Sequence, residues 1–294
     1  MIVGLVGCGS MGSAIGARLR DGGERVVVAL DGRSERTRRL AAEAGVEDVG
    51  TLEALVRETD IVLSVVPPGS ALEVAEAIAV AAGDARPLVA DLNATAPTTV
   101  RRIDAALAAN GLATVDGSIS GPPPLAPGTT RIYLSGARAA EIADLPLPGV
   151  ELVVVGPEVG LASAVKMCTA SVYKGRVALL AQALRTAHAY GVVEHVLDDL
   201  VDSGLADRGR TGGTIGKAST KAWRYVPEME EIAATQGGAG LMPELFLAIS
   251  RVYAELAEHA LAGAPEEVPD DVALSEVLER LSEAGGARGG AGGP

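Results

Sequence analysis

A group of closely spaced glycines directly after the first apolar segment is the feature that most restricts the fold of this chain. Residues 1–7, MIVGLVG, have the composition of a buried strand, and CGSMGSAIGARLR carries apolar residues at helical spacing. Between them Gly7, Gly9 and Gly12 form the pattern G-x-G-x-x-G. Such a turn brings backbone N–H groups close to a pyrophosphate at the start of a helix, although a glycine-rich turn without a ligand has the same local sequence. The predicted cofactor-binding residues of this turn are Gly7, Gly9, Ser10, Met11 and Gly12.

The end of the second predicted strand bears on the choice of dinucleotide. The run RVVVAL is followed by Asp31, at the spacing of an acidic residue that binds the free ribose 2′-OH of NAD. Arg33 and Ser34 follow and offer a guanidinium group and a hydroxyl to the 2′-phosphate of NADP. We expect NADP because of this basic cluster, with NAD as the alternative. The arginines further along are predicted only to solvate the next helix: Arg36, Arg38 and Arg39.

Strand-like and helix-like segments continue to alternate along the first half of the chain. The apolar runs 60–68 and 86–94 each follow a segment of helix length, which predicts a doubly wound parallel sheet. Ligands of such sheets lie outside the carboxyl ends of the strands. Val66, Pro67 and Asn93 are therefore predicted to lie beside the cofactor, and a rigid turn is the other interpretation of Pro67.

The segment 113–136 predicts two more strands joined by a proline-rich loop. Ser120 and Gly121, at the end of the first of these strands, could offer a hydroxyl and a backbone N–H to an anion. Pro122 cannot, because it has no N–H.

The second half of the chain is predicted to be helical throughout. One long helix is expected between 157 and 190, followed by several shorter ones, and no segment there favours a strand. The predicted organisation is a dinucleotide-binding Rossmann domain at 1–156, an all-helical substrate and dimerisation domain at 157–284, and a disordered glycine-rich tail at 285–294. Apolar helix surfaces favour a homodimer.

Lys166 interrupts a run of small and apolar residues, GLASAVKMCTASVYKG. Only four of the 25 basic residues are lysines, and an amine, unlike a guanidinium group, can lose and regain a proton. Ala170 and Tyr173 share its helix face, and partial desolvation there would lower the pKa of the lysine toward the range useful for proton transfer. The alternative is a lysine whose stem packs while its amine reaches water.

Together these residues resemble a known family. The order of the fingerprint at 7–12, the Pro67 turn, the segment DGSISG at 116–121 and the Lys166 helix is similar to that of the 3-hydroxyacid dehydrogenases related to 6-phosphogluconate dehydrogenase. The resemblance covers nearly the whole chain. Residues 221–235 are similar to a helical domain of poorly characterised members.

The resemblance implies a reversible hydride transfer between a nicotinamide cofactor and a small 3-hydroxy acid or its ketone, with Lys166 as general acid and base. Ser120 and Gly121 would form the substrate-anion loop. The alternatives are an imine-reducing enzyme of the same fold and a catalytically silent NADP-binding or sensor protein.

Three positions depart from the family pattern. Ala170 stands where the family usually has an asparagine, and Pro122 stands where a second glycine is common. Glu228 falls in the segment where the family has a later lysine. Glu228 and Trp223 are predicted substrate-binding residues, and a helix-packing anchor is the other interpretation of Trp223.

Composition excludes several other classes of function. A formal net charge of −13 argues against nucleic-acid binding, and charged residues break every long apolar stretch, which argues against membrane insertion. Two cysteines, Cys8 and Cys168, form no disulfide framework and are predicted to be buried, so a cytoplasmic location is expected. No metal site is predicted, because the three histidines lack the spacing of metal ligands.

Overall fold

The computed structural model describes residues 1–263 and 267–282. Two compact units divide them: Met1–Cys168 together with Ala234–Leu241 form the first, and Thr169–Ala233 with the described residues from Met242 onward form the second. The chain changes unit inside a helix, between Cys168 and Thr169. A domain boundary after residue 156 stays a prediction, and the predicted tail at 285–294 lies outside the described residues.

Eight strands form one sheet in the described part of the first unit. Their bounds are β1 (Ile2–Val6), β2 (Arg25–Val28), β3 (Glu47–Asp48), β4 (Ile61–Ser64), β5 (Leu88–Asp91), β6 (Ala113–Ser120), β7 (Thr130–Ser135) and β8 (Val150–Gly156). Their order is β3-β2-β1-β4-β5-β6-β7-β8, and all neighbours are parallel except β6 and β7. The doubly wound sheet predicted from the sequence is confirmed. The antiparallel step follows from the short connection between β6 and β7, since a parallel pair needs a long crossover.

Helices alternate with these strands: α1 (Ser10–Asp21), α2 (Glu35–Ala44), α3 (Leu52–Glu58), α4 (Ala71–Ala82), α5 (Pro97–Ala108) and α6 (Ala139–Ala143). Successive side chains of β1 enter different cores. Leu5 belongs to one apolar cluster and Val6 to another. Both faces of the sheet are thus covered, as a largely parallel sheet requires.

The second unit is built from helices, and the helical prediction for this half is confirmed. They are α7 (Leu161–Ala189), whose residues from Thr169 belong here, α8 (Val193–Asp202), α9 (Thr211–Gly238), whose last turn belongs to the first unit, α10 (Glu244–Glu258) and α11 (Leu274–Ser282). Gly191, at φ 70°, follows the end of α7. The start of α9 packs closely against the backbone of Val272, since a Cβ on Gly212 would lie 2.2 Å from the Val272 carbonyl oxygen.

One prediction about burial is wrong, and one alternative interpretation does not hold. Cys168 is exposed, because the buried positions of this part of α7 are Met167 and Ala170 and Cys168 lies on the opposite side of the helix. Trp223 is 65% exposed, so it does not anchor helix packing within its own chain. The predicted burial of Cys8 is confirmed, and this burial raises the pKa of its thiol to about 11.

None of the described helices combines the length and the apolar composition of a membrane-spanning segment. Within residues 1–263 and 267–282, no three or more His, Cys, Asp or Glu side chains are grouped so that they could hold a metal ion.

Candidate functional site

The turn between β1 and α1 has the geometry of an anion cradle. A Cβ on Gly7, at φ 98°, would lie 2.2 Å from the Val65 carbonyl oxygen, and one on Gly12 would lie 2.0 Å from the Gly7 carbonyl oxygen. These two glycines are therefore needed for close packing. A Cβ on Gly9 would instead meet no described atom within 4 Å, so Gly9 faces open space.

The start of α1 adds hydrogen-bond donors to this space. Gly9 is the N-cap residue, so no side chain of the described chain caps the helix, and the first turn, which begins with Ser10 and Met11, holds no acidic residue. The first N–H groups of a helix have no partner inside the helix and attract anions. The turn therefore fits a pyrophosphate group.

Asn93 holds the backbone of Val66 at this edge of the sheet. Its side chain is buried, its Oδ1 accepts from the Val66 N–H at 2.7 Å, and its Nδ2 donates to Asp91 Oδ2 at 2.8 Å and to Ser64 Oγ at 3.1 Å. These bonds occupy its amide oxygen and both amide protons. Asn93 thus fixes the backbone that leads from β4 into the exposed Pro67 turn.

Beyond β2, an exposed basic segment follows Asp31. Asp31, Arg33 and Ser34 are all exposed, and the Ser34 hydroxyl accepts from the Thr37 N–H at 3.3 Å as the N-cap of α2. The guanidinium group of Arg33 is therefore accessible to the 2′-phosphate of NADP, and the Ser34 hydroxyl is held in place by its bond to the Thr37 N–H.

Two of the arginines predicted only to solvate α2 have specific partners, so that prediction is wrong for them. Arg36 donates to Ser10 Oγ at 3.0 Å, which brings its guanidinium group to the glycine turn. Arg38 donates to the Leu30 carbonyl oxygen at 2.6 Å. Only Arg39, paired with Glu43 on the exposed face at 3.7 Å, behaves as expected.

The loop after β6 is held by a residue that the sequence did not indicate. Gly121, after Ser120, has φ 113°, and a Cβ there would lie 2.3 Å from the Thr129 carbonyl oxygen. Arg18 of α1 donates to the Pro124 carbonyl oxygen at 2.7 Å and to the Leu125 carbonyl oxygen at 2.8 Å. The proline-rich loop is thereby fastened to the helix of the glycine turn. No local sequence signal could identify Arg18, because its partners are 106 and 107 residues away.

Lys166 lies in the first unit, near the start of α7, and is partly buried. Ala162, Met167 and Ala170 around it are buried, whereas Tyr173, seven residues on, is exposed. Lys166 is thus partly shielded from water, and the side chains four residues before and after it on the helix, Ala162 and Ala170, are small.

Glu228 and Trp223 lie in the second unit. Glu228 forms an ion pair with Lys174, and the two side chains are only 10% and 17% exposed. Lys174 Nζ lies 4.7 Å from the centre of the Tyr225 ring, and burial raises the pKa of the Tyr225 phenol to about 12. The Tyr253 hydroxyl donates to the Lys174 carbonyl oxygen at 2.7 Å. Glu228 is thus paired inside its own unit with Lys174, a residue that no local sequence pattern indicates as its partner.

The predicted site residues are thus divided between the two units. The residues predicted to bind the cofactor lie at the carboxyl edge of the sheet in the first unit, as do Ser120 and Gly121 at the end of β6. Trp223 and Glu228 belong to the second unit.

Comparison with known proteins gives the family. Residues 2–145 match the NAD binding domain of 6-phosphogluconate dehydrogenase, and residues 187–256 match a domain of unknown function, DUF1932. A solved structure of a conserved protein of unknown function, described as similar to 3-hydroxyacid dehydrogenases, is 31% identical and covers 88% of this chain and 97% of its own, with a TM-score of 0.65. This chain belongs to the 3-hydroxyacid dehydrogenase and 6-phosphogluconate dehydrogenase-like superfamily. Within that superfamily, the matched NAD binding domain supports a nicotinamide cofactor.

Other relatives extend the match to more distant members. An uncharacterised 28.5 kDa protein of Methanothermus fervidus is 29% identical over 203 residues, which are 69% of this chain and 77% of that protein. A 3-hydroxyisobutyrate dehydrogenase of Mycobacterium tuberculosis shares the fold at 19% identity, with a TM-score of 0.67 over 95% of this chain and 98% of its own. An imine reductase of Streptomyces aurantiacus shares it at 20% identity, with a TM-score of 0.56 over 95% and 99%.

The glycine turn allows a matched pair of substitutions. Gly9→Ala should leave the fold nearly intact, because φ −76° and ψ −167° suit alanine and an alanine at the N-cap costs only about 1 kcal/mol. Its methyl group would enter the space of the cradle, so the Kd for NADPH should rise about tenfold or more, which is about 1.4 kcal/mol. Gly12→Ala should lower the melting temperature clearly, because its Cβ would meet backbone at 2.0 Å.

Isothermal titration calorimetry with NADPH and thermal unfolding followed by circular dichroism measure both effects. Gly209→Ala, at a second-unit glycine whose added Cβ would come no nearer than 3.5 Å to Asp207 Oδ1, is the control. Tight NADPH binding by Gly9→Ala would contradict the assignment of the cradle.

Proposed function

We propose that this protein is an NADP-dependent oxidoreductase that transfers a hydride reversibly between the nicotinamide and a small 3-hydroxyacid-like alcohol or its ketone. The observation that carries the proposal is the contact between Arg36 and Ser10, which joins a basic cluster to an open glycine turn. Lys166 supplies an amine in the same unit. The fold shared with 3-hydroxyisobutyrate dehydrogenase supports this reaction class.

The preference for NADP rests on the charges beyond β2. Arg33 is exposed and offers its guanidinium group to a 2′-phosphate, and Arg36 adds a second positive charge at the neighbouring glycine turn. Ser34 is fixed as the N-cap of α2 and adds a hydroxyl. Asp31 favours a free 2′-OH and keeps NAD as the alternative. Val66 and Pro67 line the passage of the dinucleotide, with Asn93 holding their backbone.

Lys166 is the proposed acid and base. The dinucleotide, when bound, supplies or accepts the hydride. In oxidation Lys166 Nζ takes the proton of the substrate hydroxyl, and in reduction it returns a proton to the oxygen. Ser120 and the Gly121 N–H bind the acidic group of the substrate, and Arg18 keeps their loop in place. Trp223, which exposes most of its ring, and Glu228 stay the proposed substrate residues of the second unit.

An imine is the second candidate substrate. Ala170 has no polar group with which to orient a hydroxyl or a lysine, and Pro122 removes one N–H from the anion loop. Both changes favour a less anionic substrate, and imine reductases share this fold.

We also propose that the protein forms a homodimer in the cytoplasm, through the exposed face of α7. Five exposed residues of this helix and Tyr190, directly after its end, follow each other at alternating steps of four and three, the spacing of two helices packed side by side. They extend over about 27 Å of the helix at 1.5 Å per residue. The stripe consists of Val172, Arg176, Leu179, Ala183, Thr186 and Tyr190. A second copy of this chain offers an identical stripe, in which Val172, Leu179, Ala183 and Tyr190 supply the apolar contacts.

Cofactor preference can be tested by charge removal. Arg33→Ala and Arg36→Ala should each weaken NADPH binding about tenfold to a hundredfold, because each loses a charge-assisted hydrogen bond to phosphate of about 1.5–3 kcal/mol. Arg33→Ala should leave NADH binding within about twofold, because NADH lacks the 2′-phosphate. Arg36→Ala should weaken NADH binding as well, because Arg36 lies at Ser10 of the pyrophosphate turn, which both cofactors would use. Calorimetric titration with both cofactors measures this. Arg39→Ala is the control, and equal loss of NADH and NADPH binding in Arg33→Ala would argue against a 2′-phosphate site.

The proposed chemistry is tested at Lys166. A panel of 3-keto acids and cyclic imines is first screened for a substrate that the native protein reduces with NADPH. With that substrate, Lys166→Ala should lower turnover about a hundredfold or more, because the variant lacks the proton donor. NADPH affinity should stay within about twofold. Absorbance loss of NADPH gives the rate, and Lys217→Ala, at a lysine paired with exposed Asp270, is the control. Undiminished turnover of Lys166→Ala would refute the mechanism, whereas NADPH binding without any turnover of the panel favours the silent cofactor-binding alternative.

The dimer is tested at Leu179, which is 64% exposed. Leu179→Glu should convert the dimer to a monomer in sedimentation velocity, because it places a charge in an apolar contact. Val80→Glu, at an 82% exposed apolar residue of the first unit, should leave the dimer intact. A monomeric native protein, or a dimeric Leu179→Glu variant, would exclude this interface.

A further inference from the structure

A buried carboxylate lies at the start of α7. Asp116, on β6, has no exposed surface. Its Oδ2 accepts from the Gly160 N–H at 2.9 Å and from the Ser163 N–H at 3.1 Å, and its Oδ1 accepts from the Ser163 hydroxyl at 2.7 Å. The carboxylate therefore receives the N–H groups that the first turn of a helix leaves without helical partners.

Two serines complete the junction between strands and helix. Ser135, on β7, donates to Asp116 Oδ2 at 2.9 Å and accepts from the Ala162 N–H at 3.0 Å. Ser118, on β6, donates to the Ala162 carbonyl oxygen at 2.7 Å. Five hydrogen bonds thus fasten two neighbouring strands to the start of α7, and a sixth, from Ser135 to Asp116, joins the two strands to each other.

The charge of Asp116 is balanced without a cation. Across the described residues its partners are N–H and O–H groups, and none is a lysine or an arginine. The positive end of the helix dipole and the charge-assisted bonds offset the cost of burying the carboxylate. Apolar side chains could also pack a helix onto a sheet, but they would not fix its rotation and translation as directional bonds do.

The position of this junction connects two parts of the proposed site. Lys166 follows Ser163 by three residues, which is about 4.5 Å along the helix axis and on a neighbouring face. Ser120 follows Asp116 by four residues on β6, about 13 Å along the strand. A single carboxylate is therefore the common fixed point of the helix with Lys166 and of the strand that ends at the substrate loop.

We propose that Asp116 is a positioning residue that sets the place of Lys166 relative to Ser120 and Gly121, through the first turn of α7. The inference rests on the proposed function for its catalytic meaning, because that function assigns proton transfer to Lys166. Its structural content, the placement of the Lys166 side chain, is measurable without a substrate.

The test uses the full chain with its lysines reductively methylated with ¹³C-formaldehyde. Each of the four lysines and the amino terminus then carries a ¹³C-labelled dimethylamine group that NMR detects, and Lys166→Arg assigns the Lys166 signal. In Asp116→Asn one carboxylate oxygen, which accepts hydrogen bonds, is replaced by an NH₂ group, which donates them, and the negative charge is lost. The new NH₂ group would face the N–H and O–H donors of the junction, so the start of α7 should move. The Lys166 signal should therefore shift or split. The signals of Lys174, Lys217 and Lys221 should stay in place.

Thr114→Ala is the matched control. Thr114 lies on the same face of β6, is buried, and its hydroxyl has no hydrogen-bond partner among the residues that the structure describes. The dimethylamine signals of Thr114→Ala should have the same positions as those of the native chain. Ser163→Ala, which loses only the hydroxyl bond to Asp116, should move the Lys166 signal less and in the same direction. If circular dichroism shows that Asp116→Asn is unfolded, the Lys166 signal of Ser163→Ala alone tests the proposal.

A Lys166 signal unchanged in both variants overturns the proposal, and so does a shift of all four lysine signals together, which would make Asp116 a general stability residue. Addition of NADPH to the native chain tests the proposed function separately. If the Lys166 signal does not shift when NADPH is added, that outcome argues against the proposed function. The comparison of Asp116→Asn with the native chain does not depend on it. With a turned-over substrate, kcat of Asp116→Asn should fall about tenfold to a hundredfold while KM and the NADPH Kd change less than about threefold.

Discussion

The parallel pairing of β1 with both β2 and β4 is the constraint on which the rest of the first unit depends. Parallel strands end at the same edge, so the glycine turn after β1, the basic segment after β2 and the Val66 turn after β4 meet there although they are far apart in sequence. The contact of Arg36 with Ser10 is a direct result. A cofactor that binds along this edge meets an open glycine, a helix start and guanidinium groups in succession.

Buried polar groups stabilise this edge by fixing backbone segments. Asn93 fixes the Val66 turn, and Asp116 fixes the first turn of α7. Both side chains are buried, and each hydrogen bond to them is directional, so a chain segment has one preferred place. The buried residues that hold the backbone at this edge are in this way distinct from the exposed ones, such as Arg33 and Pro67.

The second unit contains a charged pair of another kind. Lys174 and Glu228 are mostly buried, and Tyr225 and Tyr253 pack around them, with the two rings edge to face at a centroid distance of 5.1 Å. Removal of charges from water is costly, and the hydrogen bond and the cation–π contact offset part of that cost. The pair joins α7 to α9, so the position that the sequence assigned to substrate binding also has a structural task in its own unit.

The sequence alone determined the features that depend on neighbouring residues. The sterics of glycine, the period of apolar side chains and the start of helices act over a few residues, so the glycine turn, the order of strands and helices, the helical second half and the place of Lys166 on a helix were all predictable. Strands β3 and β8 were missed, since β3 has only two exposed residues and the edge strand β8 is only half buried. Tertiary structure decided the partners of side chains. The contacts of Arg36 with Ser10, Arg18 with Pro124 and Asp116 with Ser163 join residues 26, 106 and 47 positions apart. Such contacts, like the exposure of Cys168 and Trp223, depend on which surfaces meet in space, and local sequence does not contain that information.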